Sequence, residues 1–141
     1  MPQQLLRWHY RSRHESLIAV SNYEFYDNRL VVFPSPDHQR SEVGLMFRHL
    51  PHAHYQRGSG QINPDEAAAI AQAVMRFAQQ QINLPPEQRQ TLLVAAFSMA
   101  QKRAIEDRLE ILRRQSPELE PFFSAASHEP FDVKNLETVQ G

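Results

Sequence analysis

Within the first fifteen residues, Arg7, Arg11 and Arg13 are interleaved with Trp8 and Tyr10 along the run Leu6-Arg-Trp-His-Tyr-Arg-Ser-Arg-His-Glu15. A guanidinium is planar and always charged, and an aromatic ring offers a flat apolar face, so this mixture suits phosphate clamping and base or ring stacking. The same residues admit a purely structural role, in which Arg11 and Arg13 pair with Glu15 or lie in solvent. Seven histidines raise a second chemistry. His52 and His54, or His9 and His14, are close enough in sequence to share a transition metal. No Asp, Glu or Cys stands at ligand spacing to close the site, and no metal is expected. The sequence has neither a glycine-rich phosphate loop followed by Lys and Ser or Thr nor a nucleophile elbow, so it carries no complete catalytic kit.

The elements that position these side chains belong to a modest domain. A chain of 141 residues suffices for one core, which at this size buries roughly two thirds of the surface exposed when unfolded. Formal net charge is −1, from 15 Lys and Arg against 16 Asp and Glu. No global positive field marks a nucleic-acid binder, and any such binding must be local. Absence of cysteine excludes a disulfide scaffold and a thiolate zinc site. No apolar stretch approaches the ~20 residues that span a bilayer, and the polar first residues do not form a signal peptide. No membrane partner is expected, and the expected location is cytoplasmic.

Along the chain, Ser12-Arg-His-Glu15 reads as a capping box and predicts a helix over 13–26. Asp27-Asn28 signals a turn, and the β-branched run 30–33, bounded by Pro34 and Pro36, predicts a strand. A second strand is predicted over 44–50, followed by a polar loop with Gly58 and Gly60. Asn63-Pro-Asp-Glu66 combines an N-cap, a proline at the first helical position and two acids at the positive end of the helix dipole. The helix it starts places Ala67, Ile70, Ala71, Val74, Phe77 and Ala78 on one stripe. The run 92–97 is apolar without alternation, as a strand covered on both faces would be. Ser98 is the expected cap of the next helix, with Ile105, Leu109 and Leu112 inward and Glu110 paired to Arg114 outward. A last strand is expected over 131–135. This alternation predicts an α/β fold with a mostly parallel sheet flanked by helices. In such sheets ligands sit at the carboxyl ends of strands, which singles out Phe97-Ser98 and the residues from Asn135 onward.

Four motifs, in order, resemble the second motor domain of superfamily 1 nucleic-acid helicases, in the family that includes the nonsense-mediated-decay helicase. Arg7-Trp-His-Tyr-Arg-Ser-Arg-His-Glu-Ser-Leu-Ile-Ala-Val-Ser-Asn22 with Phe25-Tyr26 is similar to Gln-Tyr-Arg-Met-His-Pro and its helix ending in Phe-Tyr. Asn63-Pro-Asp-Glu-Ala67 opens a helix as in the family. Val94-Ala-Ala-Phe-Ser-Met-Ala-Gln101 resembles the strand ending in Thr-Pro-Tyr or Thr-Phe-Ser and then Gln, and Val133-Lys-Asn-Leu-Glu-Thr-Val-Gln-Gly141 resembles Val-Asp-Ser-Phe-Gln-Gly. The wording of the first run is nearest to large bacterial members. His9 departs from the usual Gln, His14 stands where Pro would follow, and Ala96 replaces a Thr.

The resemblance implies a RecA-like, P-loop NTPase-type second motor domain, incomplete at both ends of residues 1–141. It implies that Arg11 reaches the γ-phosphate of ATP as a catalytic arginine and that Tyr10 flanks the nucleotide. Gln140 and Gly141 match the motif that couples nucleotide to strand, and Ser98 and Asn135 match positions that touch the sugar-phosphate backbone. ATP and Mg²⁺ would be held mainly by an N-terminal RecA-like domain of the same protein, and the track would be single-stranded nucleic acid, DNA ahead of RNA. The chain alone is expected to hydrolyse no ATP. The alternative is a non-catalytic module that binds nucleic acid or protein through the basic and aromatic opening segment. A metal-dependent enzyme built on the histidines ranks last.

Overall fold

The computed structural model describes residues 7–36, 43–58, 60–124 and 129–139. They fall into two compact units, Met1–His49 and Leu50–Gly141. Together they show a mixed α/β fold whose strands form two small parallel sheets accompanied by helices.

The first unit is a β-α-β turn of chain. Strand β1 (Trp8–His9) pairs in parallel with β2 (Val31–Val32), Trp8 opposite Val31, and helix α1 (Ser16–Tyr26) connects them. The expected capping box does not form, and the helix starts three residues later than expected, at Ser16. The Ser12 hydroxyl lies 2.7 Å from His9 Nε2, and a Glu15 carboxylate oxygen accepts from the Ser35 amide at 2.8 Å, so neither is left for the helix amides. His14 supplies the acceptor instead: its Nδ1 takes the Ser16 amide at 3.2 Å. Gly44 closes over this ring with φ +92°, and a Cβ there would lie 2.5 Å from His14 Nδ1. At the far end, Asp27 and Asn28 adopt positive φ, and Asn22 clamps Leu30 through both side-chain atoms, donating to its carbonyl and accepting from its amide. That paired contact imitates a strand edge and aims the chain into β2. The strand expected over 44–50 is absent. It finds no ladder partner for its amides and carbonyls among the described residues, and Leu45, Met46 and Phe47 stand exposed.

The core lies in the second unit. Helix α2 (Pro64–Ile82) starts as expected, with the Asn63 side chain accepting from the Glu66 amide at 3.1 Å and Pro64 in the first turn. Its stripe buries Ala67, Ala71, Val74 and Ala78 against Ile105 and Leu109 of helix α3 (Met99–Gln115). Strands β3 (Leu93–Ala96) and β4 (Asp132–Asn135) pair in parallel beside these helices, and Ala96 and Val133 join the core. The expectation that the strand over 92–97 is covered on both faces is overturned. Val94 and Ala96 turn inward while Leu93 and Ala95 are exposed, because among the described residues helices cover only one face of this strand. The Glu110 to Arg114 pair on α3 forms as expected.

Helix α4 (Glu120–Phe123) closes the core with a cluster of rings, Phe77, Phe122, Phe123 and Phe131 meeting edge-on or tilted at 5.1–6.2 Å between centroids. Arg113 covers this cluster, its guanidinium 4.5 Å above Phe123 while two of its nitrogens bond the Glu120 carboxylate at 2.9 and 2.6 Å. The hydrogen bond from Arg113 holds the Glu120 carboxyl below its ordinary value of 4.5. A depressed carboxyl stabilises the fold above its unfolded value and loses that contribution as pH falls through the folded one. Both groups are partly exposed, so the pair is worth under about 1 kcal/mol. Glu120→Gln should therefore lower stability slightly at pH 7 and match the parent only at an acid pH below the lowered folded-state value of Glu120. Arg113→Ala, which also loses the ring contact, should cost more and keep a deficit at low pH; urea unfolding at the two pH values measures both.

Candidate functional site

In the first unit, the residues singled out for phosphate chemistry sit on a turn at the carboxyl end of β1. His9 Nε2 accepts the Ser12 amide at 3.0 Å and meets its hydroxyl, closing four residues into a loop with Tyr10 and Arg11 at its apex. Tyr10 is 87 % exposed. Arg11 and Arg13 are exposed and form no ion pair among the described residues, so pairing with Glu15 is not how they are used. Trp8 stacks on Phe33 with ring centroids 5.6 Å apart, which stiffens the strand leading into the turn. Ser12, read from sequence as a helix cap, is thus the residue that shapes the arginine loop.

In the second unit, the parallel register sets Ala96 opposite Asn135, so the carboxyl ends of β3 and β4 finish side by side. Ser98 follows two residues beyond β3, and the structure thereby brings Ser98 and Asn135 to one edge. The Ser98 oxygen accepts from the Gln101 amide at 3.1 Å and caps α3; its hydroxyl hydrogen remains available to an outside acceptor. Asn135 is buried, and its Oδ1 accepts from the Thr138 hydroxyl at 2.6 Å. That bond ties the following turn, Leu136–Thr138, to the strand end. Gln140 and Gly141 lie outside the described residues.

Sequence reading missed the role of Gln101. Buried at the edge, it accepts from the Asn63 amide at 2.8 Å and donates to the Asn63 carbonyl at 3.1 Å and to the Glu66 carboxylate at 3.2 Å. The amino termini of α2 and α3 are locked together by this one side chain. A polar residue on the inward face of α3, in register with Ile105 and Leu109, was the available signal. Among the described residues, no group of three or more His, Asp and Glu side chains gathers as a metal site, and no helix is long and apolar enough to cross a membrane.

Compared with protein-family models, with curated proteins and with solved structures, the chain gives no match.

Gln101→Ala would leave the Asn63 amide without its acceptor at a part-buried site, while the Asn63 carbonyl would keep only the Ala67 amide. An unsatisfied buried group costs about 1–3 kcal/mol. Chemical denaturation should show a loss in that range, and amide exchange should quicken first at the amino termini of α2 and α3. Gln101→Glu should recover only part of the loss, because a carboxylate there accepts from Asn63 but cannot donate to its carbonyl and faces Glu66.

Proposed function

We propose that the chain is the second half of an ATP-driven motor on single-stranded nucleic acid, a RecA-like domain that lends an arginine to a nucleotide held by an N-terminal partner domain. The observation that carries this reading is the register of β3 against β4, through which Ser98 and Asn135 come to one strand-end edge. Those two positions match backbone-contacting residues in the helicase family that the sequence resembles.

The chemistry of the parts supports it. At the edge, the Ser98 hydroxyl and the first amides of α3 offer donors to a phosphate, a grip that holds a strand without reading its sequence. On the opening turn, Arg11 is charged, exposed and without an ion pair among the described residues, the state required of a guanidinium that reaches across to a nucleotide on another domain. ATP with Mg²⁺, bound mainly by that other domain, supplies the phosphoryl group and the free energy of its transfer. Tyr10 would border the nucleotide, Arg11 would stabilise charge on the transferring oxygens, and Gln140 and Gly141 would link the two sites. An arginine in that role is typically worth ~10³ to 10⁵ in rate. DNA is favoured over RNA on the bacterial resemblance of the opening motif.

Two experiments test the reading. In the motor reassembled with its nucleotide-holding domain, Arg11→Ala should lower kcat at least ~10²-fold with little change in ATP affinity, as for an interaction made mainly in the transition state. An unchanged kcat would return Arg11 to a solvent role. On the chain alone, which should turn over no ATP, Ser98→Asp keeps a good helix cap but sets a negative charge at the edge. Thermal stability should hold while single-stranded DNA binding falls at least tenfold; binding that survives would remove Ser98 from the strand.

A further inference from the structure

A cavity of about 400 Å³ opens at the same edge, and it is not explained by contacts to a sugar-phosphate backbone. Its volume is within the roughly 300–1,000 Å³ of small-ligand pockets. Ala95, Ala96, Ile70 and Ile105 contribute apolar lining, and two aromatic residues, Tyr55 and Phe97, border it. Phe97 is 90 % exposed although it sits at a rigid junction, directly between β3 and the cap of α3. Tyr55 is 54 % exposed and is fixed by the neighbouring bridge, in which the Gln56 amide donates to the Ile62 carbonyl at 2.8 Å just ahead of Asn63. The polar lining is Glu66, Ser98 and Gln101, and Gln101 is already committed to Asn63 and Glu66.

We propose that this cavity takes a single nucleobase, held against Phe97 and Tyr55, with its N–H edge turned to the Glu66 carboxylate. The proposal deepens the strand-binding reading and rests on it for the source of the base. Three features select that occupant. Exposed rings on rigid backbone suit a flat π-face, and stacking of a base on an aromatic side chain is worth ~1–3 kcal/mol. Glu66 excludes a phosphate from the interior by charge, while Ser98 at the rim admits one there, which orders base inward and phosphate outward as in a strand. A carboxylate accepts but does not donate, so bases with adjacent N–H donors are preferred; guanine, whose N1 and N2 both present hydrogens on one edge, fits it best, and thymine, with one, fits it less.

The test uses the full chain and two ten-nucleotide DNA probes, one of thymidines with a central guanosine and one with an abasic site at that position. The guanosine probe should bind at least fivefold more tightly than the abasic one, and Phe97→Ala and Tyr55→Ala should each erase that difference. Loss of stacking should leave the dependence of affinity on salt unchanged, because no phosphate contact is removed. Phe97→Trp should retain binding, and its indole fluorescence should be quenched by the guanosine probe and much less by the abasic one. Equal affinity for the two probes with unmoved fluorescence would overturn the base pocket while leaving backbone binding intact. Guanosine monophosphate serves as the third arm: Phe97-dependent binding of it without binding of either probe would keep the base pocket and sink the strand reading instead.

Discussion

Two helices can present their amino termini at one edge only if something fixes the slide of one along the other, and Gln101 does this. Its amide forms a closed set of bonds with both backbone groups of Asn63 and with Glu66. Asn63 is the cap of α2 and Ser98 the cap of α3, so Gln101, bonding Asn63 through its side chain and Ser98 through its backbone amide, locks two capping residues into one frame. Everything at the edge inherits that frame. The Ser98 hydroxyl, the direction of Phe97 and the position of Glu66 follow from it. Gln81 repeats the device at the other end of α2, where its buried carbonyl takes the Gln90 amide at 2.7 Å before the chain enters β3. The strand is thus registered against α2 from both sides.

Local signals of the second unit were legible in the sequence because they are complete within a few residues. Asn63 with Pro64 and the acids behind it, the Ser98 cap, the alanine-rich stripe of α2 and the pair Glu110 with Arg114 need no distant partner to be recognised. What failed was decided by competing partners, some close by and some far along the chain. Ser12 and Glu15 have the spacing of a capping box, yet His9 and Ser35 take them first. The run 44–50 has the composition of a strand but no neighbouring strand to bond. Apolarity without alternation in 92–97 suggested burial on both faces, and only the packing reveals which face α2 and α3 cover. Ser98 and Asn135 could be singled out by motif, whereas their common edge depends on the parallel register. Gln101 shows in the sequence only as a polar residue in the Ile105 and Leu109 stripe, and its role is not readable until Asn63 is placed beside it.

The two candidate regions differ in how they hold their side chains. Arg11 rides on a short turn closed by one imidazole and one hydroxyl, with a two-residue strand behind it. No residue of α1 is buried, and Trp8, Tyr23, Phe25 and Phe33 all stand well exposed. Few buried contacts mean low local stability, and a group mounted there can shift by loop motion without disturbing a core. Ser98 and Phe97, by contrast, are anchored by β3, α3 and the Gln101 bonds. In the proposed motor, an arginine reaching a nucleotide on another domain and a grip on a strand would place opposite demands on their mounts.

The inward face of α2 carries a further consequence. Ala67, Ala71 and Ala78 have no exposed surface at all, and Val74 almost none. Methyl groups at these positions let the facing backbone approach closely, and they leave no slack. An added methylene there has nowhere to go, and overpacking of this kind costs about 1–3 kcal/mol through displaced helices. Displacement would pull Asn63 away from Gln101, so crowding midway along α2 would disturb the candidate edge one helix-end away. The smallest side chains in the molecule therefore act as its spacers, setting tolerances that the larger polar residues at the edge depend on.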